Sequence, residues 1–131
     1  MRAGLSALVA VAALTGFAGS GFAHHSFAMF DQENPIELVG TVQQFQFTSP
    51  HTFIRLEVKT GDETVVWNLE GQAPGPLARD GFSAKSLPPG TELRMTIDPL
   101  RSGAPGGAWV APKTKRTDGK PLTSPERQAG H

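Results

Sequence analysis

The chain has 131 residues, with 12 basic against 12 acidic side chains, four histidines and no cysteine. So even a balance offers no basic stripe to hold a phosphate backbone, which argues against nucleic acid as a partner. Without cysteine there is no disulfide framework, no thiolate metal site and no lipid-modified cysteine.

Residues 1–23 read as a secretory signal peptide. Arg2 gives the positive start, Leu5 to Ala18 form an apolar run, and Gly21-Phe22-Ala23 sets small residues ahead of a cut after Ala23. The run is too short and too rich in Gly to span a bilayer, so it is expected to be removed and not to remain as a transmembrane anchor. The protein is then expected to be periplasmic or secreted, and to begin His24-His25-Ser26-Phe27. One domain is expected over residues 24–122, long enough for a modest core. A polar, disordered tail is expected at 123–131.

Residues 24–34 read as an extended lead-in that Phe27 and Phe30 pin to the body. Ile36 to Phe47 predicts the first strand. Its apolar positions Ile36, Leu38 and Val42 share one parity and Phe45 and Phe47 the other, so a bend is expected, with Gly40 as its place. After the break at Thr48-Ser49-Pro50, a second strand carries Ile54, Leu56 and Val58 on one face. His51, Phe53, Arg55, Glu57 and Lys59 share the other. Thr60-Gly61-Asp62 is a hairpin turn. A third strand, Thr64 to Glu70, turns Val65, Trp67 and Leu69 one way, with Trp67 as a core aromatic.

Ala73 to Phe82 predicts one short helix stopped at Gly81. Leu87-Pro88-Pro89-Gly90 is a turn. Thr91 to Asp98 alternates with Leu93, Met95 and Ile97 inward, which makes Met95 core and not a copper thioether. Gly103 to Gly107 reads as a loose loop, Ala108 to Lys115 as a weaker strand at an edge, and Asp118-Gly119 as a turn. The order β-β-β-α-β-β predicts an all-β fold with one short helix, a small five-stranded OB-like β-barrel. A β-sandwich is the alternative.

Taken as a set, these residues resemble an uncharacterised family of small secreted bacterial proteins whose mature chains start His-His-Ser-Phe. The likeness rests on Ala23-His24-His25-Ser26-Phe27-Ala28-Met29-Phe30-Asp31, Val39-Gly40-Thr41-Val42 and Ser49-Pro50-His51. It continues through the Trp67 strand, Leu77-Ala78-Arg79-Asp80-Gly81-Phe82, Leu87-Pro88-Pro89-Gly90 and Asp118-Gly119. The family usually has Asn-Pro-His where this chain has Ser49-Pro50-His51. The resemblance implies the fold and the compartment, and no reaction.

The chemistry on offer is metal binding. A free α-amine, with a pKa of roughly 7.7–8.0, and the imidazoles of His24 and His25 would meet at the mature terminus. Cu(II) favours such nitrogen ligands in a plane, and His51 is the candidate third nitrogen from the folded body. The terminal pair could also chelate copper alone. Zn(II) is possible with three nitrogens and water, but no obvious carboxylate partner or second shell points to it. Glu70 and Asp98 read as solvent-facing strand residues. No nucleophile elbow, phosphate loop or His-Glu-x-x-His pattern occurs, so no enzyme is expected. The reading from a different class is a non-metal accessory module. It would bind an unknown periplasmic protein or small ligand around Phe53, Arg55 and the Gly103–Gly107 loop, as OB-like barrels do on one face.

Overall fold

Three strands with apolar alternation, at Leu38/Val42, Ile54/Leu56/Val58 and Leu93/Met95/Ile97, supply most of the buried apolar side chains and decide the architecture. The computed structural model describes residues 27–123, so the expected signal peptide, His24, His25 and the segment from residue 124 lie outside the described residues. In chain order the elements are β1 (Ile36–Gln46), β2 (Phe53–Thr60), β3 (Glu63–Glu70), α1 (Pro74–Arg79), β4 (Glu92–Pro99) and β5 (Gly106–Ala108). A single 3-10 turn (Ala111–Lys113) and β6 (Thr114–Arg116) follow.

β1 pairs with β2 and β2 with β3, all antiparallel. β3 pairs with β5 in parallel, β5 with β4 antiparallel, and β4 with β1 antiparallel. The ring is thereby closed as a five-stranded mixed barrel, with β6 added to β4 outside it. The OB-like expectation holds, and the closed ring sets the sandwich aside.

β1 is long because it serves two neighbours. Ile36–Thr41 pairs with β4, and Thr41–Gln46 pairs with β2. The expected change of parity is present, but its place is not Gly40. The register with β2 slips between Val42 and Gln44, so Gln43 is the bulged residue, and Phe45 beyond it turns toward the core.

The helix also matches expectation. Leu77 is buried, and two bonds close its end: the Phe82 N–H donates to the Leu77 carbonyl at 2.9 Å and the Gly81 N–H to that of Ala78 at 3.1 Å. This is the Schellman stop. Leu77, Phe82 and Leu87 join the barrel side chains in one core.

Two expectations are corrected at the other end of the chain. Gly106 and Gly107 are not loop residues, since they form most of β5 and are buried. A Cβ on Gly107 would lie 2.5 Å from the Asp98 carbonyl oxygen and 2.7 Å from Ile97 Cδ1. One on Gly106 would lie 2.7 Å from Leu100 Cδ1. β5 threads between β3 and β4 because it has almost no side chains. Nor is Ala108 to Lys115 one edge strand: it divides into the end of β5, the 3-10 turn and the start of β6. Its Trp109 is the fully buried tryptophan, 2% exposed, with ring centroids 6.2 Å from Phe45 and 6.4 Å from Phe82. Trp67 is only partly buried and packs against the same core from its margin.

β6 ends in a turn held by Arg116, whose guanidinium lies 2.7 Å from the Asp118 carboxylate. That hydrogen bond, and a second from the Lys120 N–H, pull Asp118 down to a pKa of about 2.

Two outcomes are expected. Gly107→Ala should destabilise the protein by about 1–3 kcal/mol, the range for overpacking, in chemical denaturation. Gly75→Ala, in α1 with open space around it, should be neutral or stabilising by up to ~1 kcal/mol. Equal midpoints for Gly107→Ala and the native chain would refute the tight closure. The Asp118 contribution should be complete above the ordinary carboxylate pKa of 3.8 and be lost as pH falls through about 2. Asp118→Asn should flatten the acid limb of a stability–pH curve over that window.

Candidate functional site

The loop of residues 47–52 carries His51, and its end is strapped to the segment after β3. Thr52 is fully buried; its N–H and its Oγ1 both donate to the Gln72 carbonyl, at 3.0 and 2.7 Å. The Gly71 N–H donates back to the Thr52 carbonyl at 2.8 Å. Thr48 Oγ1 donates to the His51 carbonyl at 3.2 Å, and the Ser49–Pro50 peptide is cis. The strap sets His51 beside the last residue of β3. His51 Nε2 and Glu70 Oε1 are 3.5 Å apart, with the side chains 43% and 27% exposed.

Glu70 is fixed from the other side. Phe53 of β2 and Ala108 of β5 flank it in register, and its carbonyl accepts the Trp109 N–H at 2.9 Å. Gly71 next to it lets the Trp109 indole approach: a Cβ there would collide with Nε1 and Cε2 of the ring. The Trp109 Nε1–H is buried and has no hydrogen-bond partner among the described residues. Ring packing thus wins over the indole hydrogen bond at this point, a cost of about 1–3 kcal/mol.

Glu70 also opens on a groove of about 200 Å³, lined by Met29, Phe30, Asn68, Glu70, Leu100 and Gly107. The lead-in forms one wall. Phe30 is buried and bridges to Leu100. The Asp31 N–H donates to the Pro99 carbonyl at 2.8 Å, the Arg101 N–H to that of Met29 at 2.9 Å, and Arg101 Nε to that of Ala28 at 3.1 Å. Asp31 lies below its usual pKa, first through a hydrogen bond from the Asn34 side chain, with further help from the Glu33 N–H and from Arg101. Of the two phenylalanines expected to pin this segment, Phe30 does so, while Phe27 is 64% exposed.

His51 and Glu70 are therefore brought together, and the lead-in runs along the groove on which Glu70 opens. His24 and His25 lie outside the described residues. Among the described residues no group of three or more His, Asp or Glu side chains could hold a metal ion. The sequence reads Glu70 as a solvent-facing strand residue, because a carboxylate ending a strand carries no signal of its own. Only the barrel register sets it beside the Pro50-His51 corner. The residues of the alternative surface are placed differently from the expectation. Arg55, Asn68 and Gly106 stand side by side across β2, β3 and β5, but Gly106 and Gly107 belong to the sheet and not to a binding loop. In OB-like barrels the face of the second and third strands, with the flanking β1–β2 and β4–β5 loops, is where ligands bind.

A family model described as a family of unknown function, DUF6152, matches residues 11–110, and the chain belongs to that family. No curated protein and no solved structure matches it. Among the described residues no helix is long and apolar enough to cross a membrane.

Phe30→Ala should cost up to about 3 kcal/mol and speed amide exchange at Asp31 and Arg101, whose N–H groups bond across the lead-in. Phe27→Ala should change stability by no more than ~0.5 kcal/mol. Unchanged exchange in Phe30→Ala would mean that Phe30 does not hold the segment.

Proposed function

We propose that this DUF6152 member is an exported, periplasmic or secreted binding protein that holds copper at its mature N-terminus. Residues 1–23 are a signal peptide cut after Ala23. The new α-amine and the His24 and His25 imidazoles bind Cu(II), and His51 adds a nitrogen from the barrel rim. A protein of this kind carries or sequesters the ion and catalyses no reaction with it.

The observation that carries the reading is the course of the lead-in. Phe27 stands one turn before the buried Phe30, its carbonyl accepting the Phe30 N–H at 3.2 Å. Phe30 lines the groove on which Glu70 opens, and Glu70 is next to His51. Three residues link His24 to Phe27, a reach of at most ~11 Å. The chain therefore enters the barrel at the end that carries His51. Nitrogen donors of this type suit Cu(II), and metal binding displaces the amine and amide protons.

A second reading draws on the groove itself. The face that includes Arg55 and Asn68 would then dock a small ligand or a partner protein of the same compartment, with no metal involved.

The test uses protein exported and processed by a bacterial host, with intact mass to fix the cleavage site. The native chain should bind one Cu(II) with nitrogen hyperfine couplings in spin resonance. One residue added before His24 should weaken binding at least about tenfold, and His51→Ala should change the couplings. A cut elsewhere, or weak binding of several ions that ignores the added residue, would reject the metal reading and favour the groove.

A further inference from the structure

We infer that the bare edge of β3 is a pairing surface for a second copy of this chain, joined antiparallel about Val65. The inference uses none of the metal-binding residues and goes beyond that reading.

The edge follows from the topology. β3 has eight residues, and β5 covers only Asn68–Glu70 on one side. Glu63–Trp67 pairs with β2 and, among the described residues, with no strand on its other side. The ladder shows which groups are left over. The Asn68 N–H donates outward to the Pro105 carbonyl, and the Glu70 carbonyl accepts the Trp109 N–H on that same side. Alternate residues of a strand repeat this direction, so Thr64 and Val66 each turn an N–H and a C=O to the bare edge. An exposed edge of this kind is a template for another strand.

The side chains leave it open. β6, beyond β4, carries Lys115 and Arg116 and follows Lys113, charges that discourage edge pairing. The β3 window has no Pro, Gly or Lys, and its run Thr64-Val65-Val66-Trp67 is β-branched and aromatic throughout. Val65, Val66 and Trp67 are each half-buried, so the barrel leaves apolar surface there.

The same window selects its occupant. It is bounded by the Gly61 turn at one end and by β5 at the other, with Val65 at its centre. A two-fold axis at Val65 sets Thr64 opposite the second copy's Val66 and Glu63 opposite the second copy's Trp67. The outward groups of Thr64 and Val66 then all find partners, no like charges meet, and the two Val65 side chains lie face to face. Each outer row of the joined sheet runs Lys59, Thr64, then Val66 and Glu57 of the second copy, with opposite charges at its ends. So short a contact buries less than the ~1,200 Å² of a standard interface, and the dimer is weak and reversible.

The experiment follows sedimentation of the exported, processed chain between about 1 μM and about 1 mM, and reads amide exchange residue by residue. A chelator is present throughout, so that association bridged by a metal does not enter and the metal reading stands or falls separately. The native chain should pass from monomer to dimer, and exchange at Thr64 and Val66 should slow at least about threefold as it does. Val66→Pro removes an outward N–H that no bond within the barrel uses. Thr64→Lys adds an edge charge at an exposed position. Both should melt within a few degrees of the native chain and weaken association at least about tenfold. If Val66→Pro fails to fold, Thr64→Lys decides alone. A native chain that stays monomeric up to about 1 mM, or a dimer that the folded variants retain, would overturn the proposal. Thr64 and Val66 amides protected equally at every concentration would also overturn it, by showing that another part of the same chain covers the edge.

Discussion

The closure of the barrel depends on how near β3 and β4 can come to each other, and that is set by the strand between them. Gly106 and Gly107 leave β5 almost bare, with room for neither side chain against Leu100, Ile97 or the Asp98 carbonyl. Interiors are close-packed, so even one added carbon there forces the backbone to move. From that closure the rest follows in sequence. Two residues beyond Gly107, Trp109 enters the core against Phe45 and Phe82. Its N–H then fixes the Glu70 carbonyl, and Glu70 is the hinge of the candidate site.

The site is an outcome of the same economy of space. Thr52, Gly71 and Gln72 tie the corner after β1 to the end of β3 through three short hydrogen bonds. An imidazole and a carboxylate are left at the rim with their polar atoms facing outward. The unpartnered Trp109 Nε1 shows which demand dominates, since the core keeps a large ring in place at the expense of a hydrogen bond.

Periodicity made β1 to β4 legible. Leu38, Ile54, Leu56, Leu93, Met95 and Ile97 could be placed inside from alternation alone, and their near-complete burial follows. The helix stop at Gly81 was legible from its local chemistry. β5 was not, because a strand made of Gly-Gly-Ala has no apolar pattern and its sequence is that of a loop. Trp67 and Trp109 exchanged weight for a related reason. Alternation places a residue on a face, but the depth of that face depends on which strands close over it. The parity change in β1 was visible as a fact and invisible as a position, since Gly40 attracts attention and Gln43 does not. Glu70 illustrates the limit for sites: its partner His51 is distant in sequence, and only the register brings them together.

The lead-in has a consequence for the order of events during folding. Its anchors, the Pro99 carbonyl, Leu100 and Arg101, lie about seventy positions downstream in the chain, as with the Arg101–Ala28 bond at a separation of 73. Contacts this far apart close late, after the loop they span has folded. A chain emerging from its N-terminus therefore has nothing to hold Ala28 to Asp31 until β4 is complete. Only afterwards is the segment drawn onto the barrel beside Glu70, so the assembly of this rim follows the completion of β4.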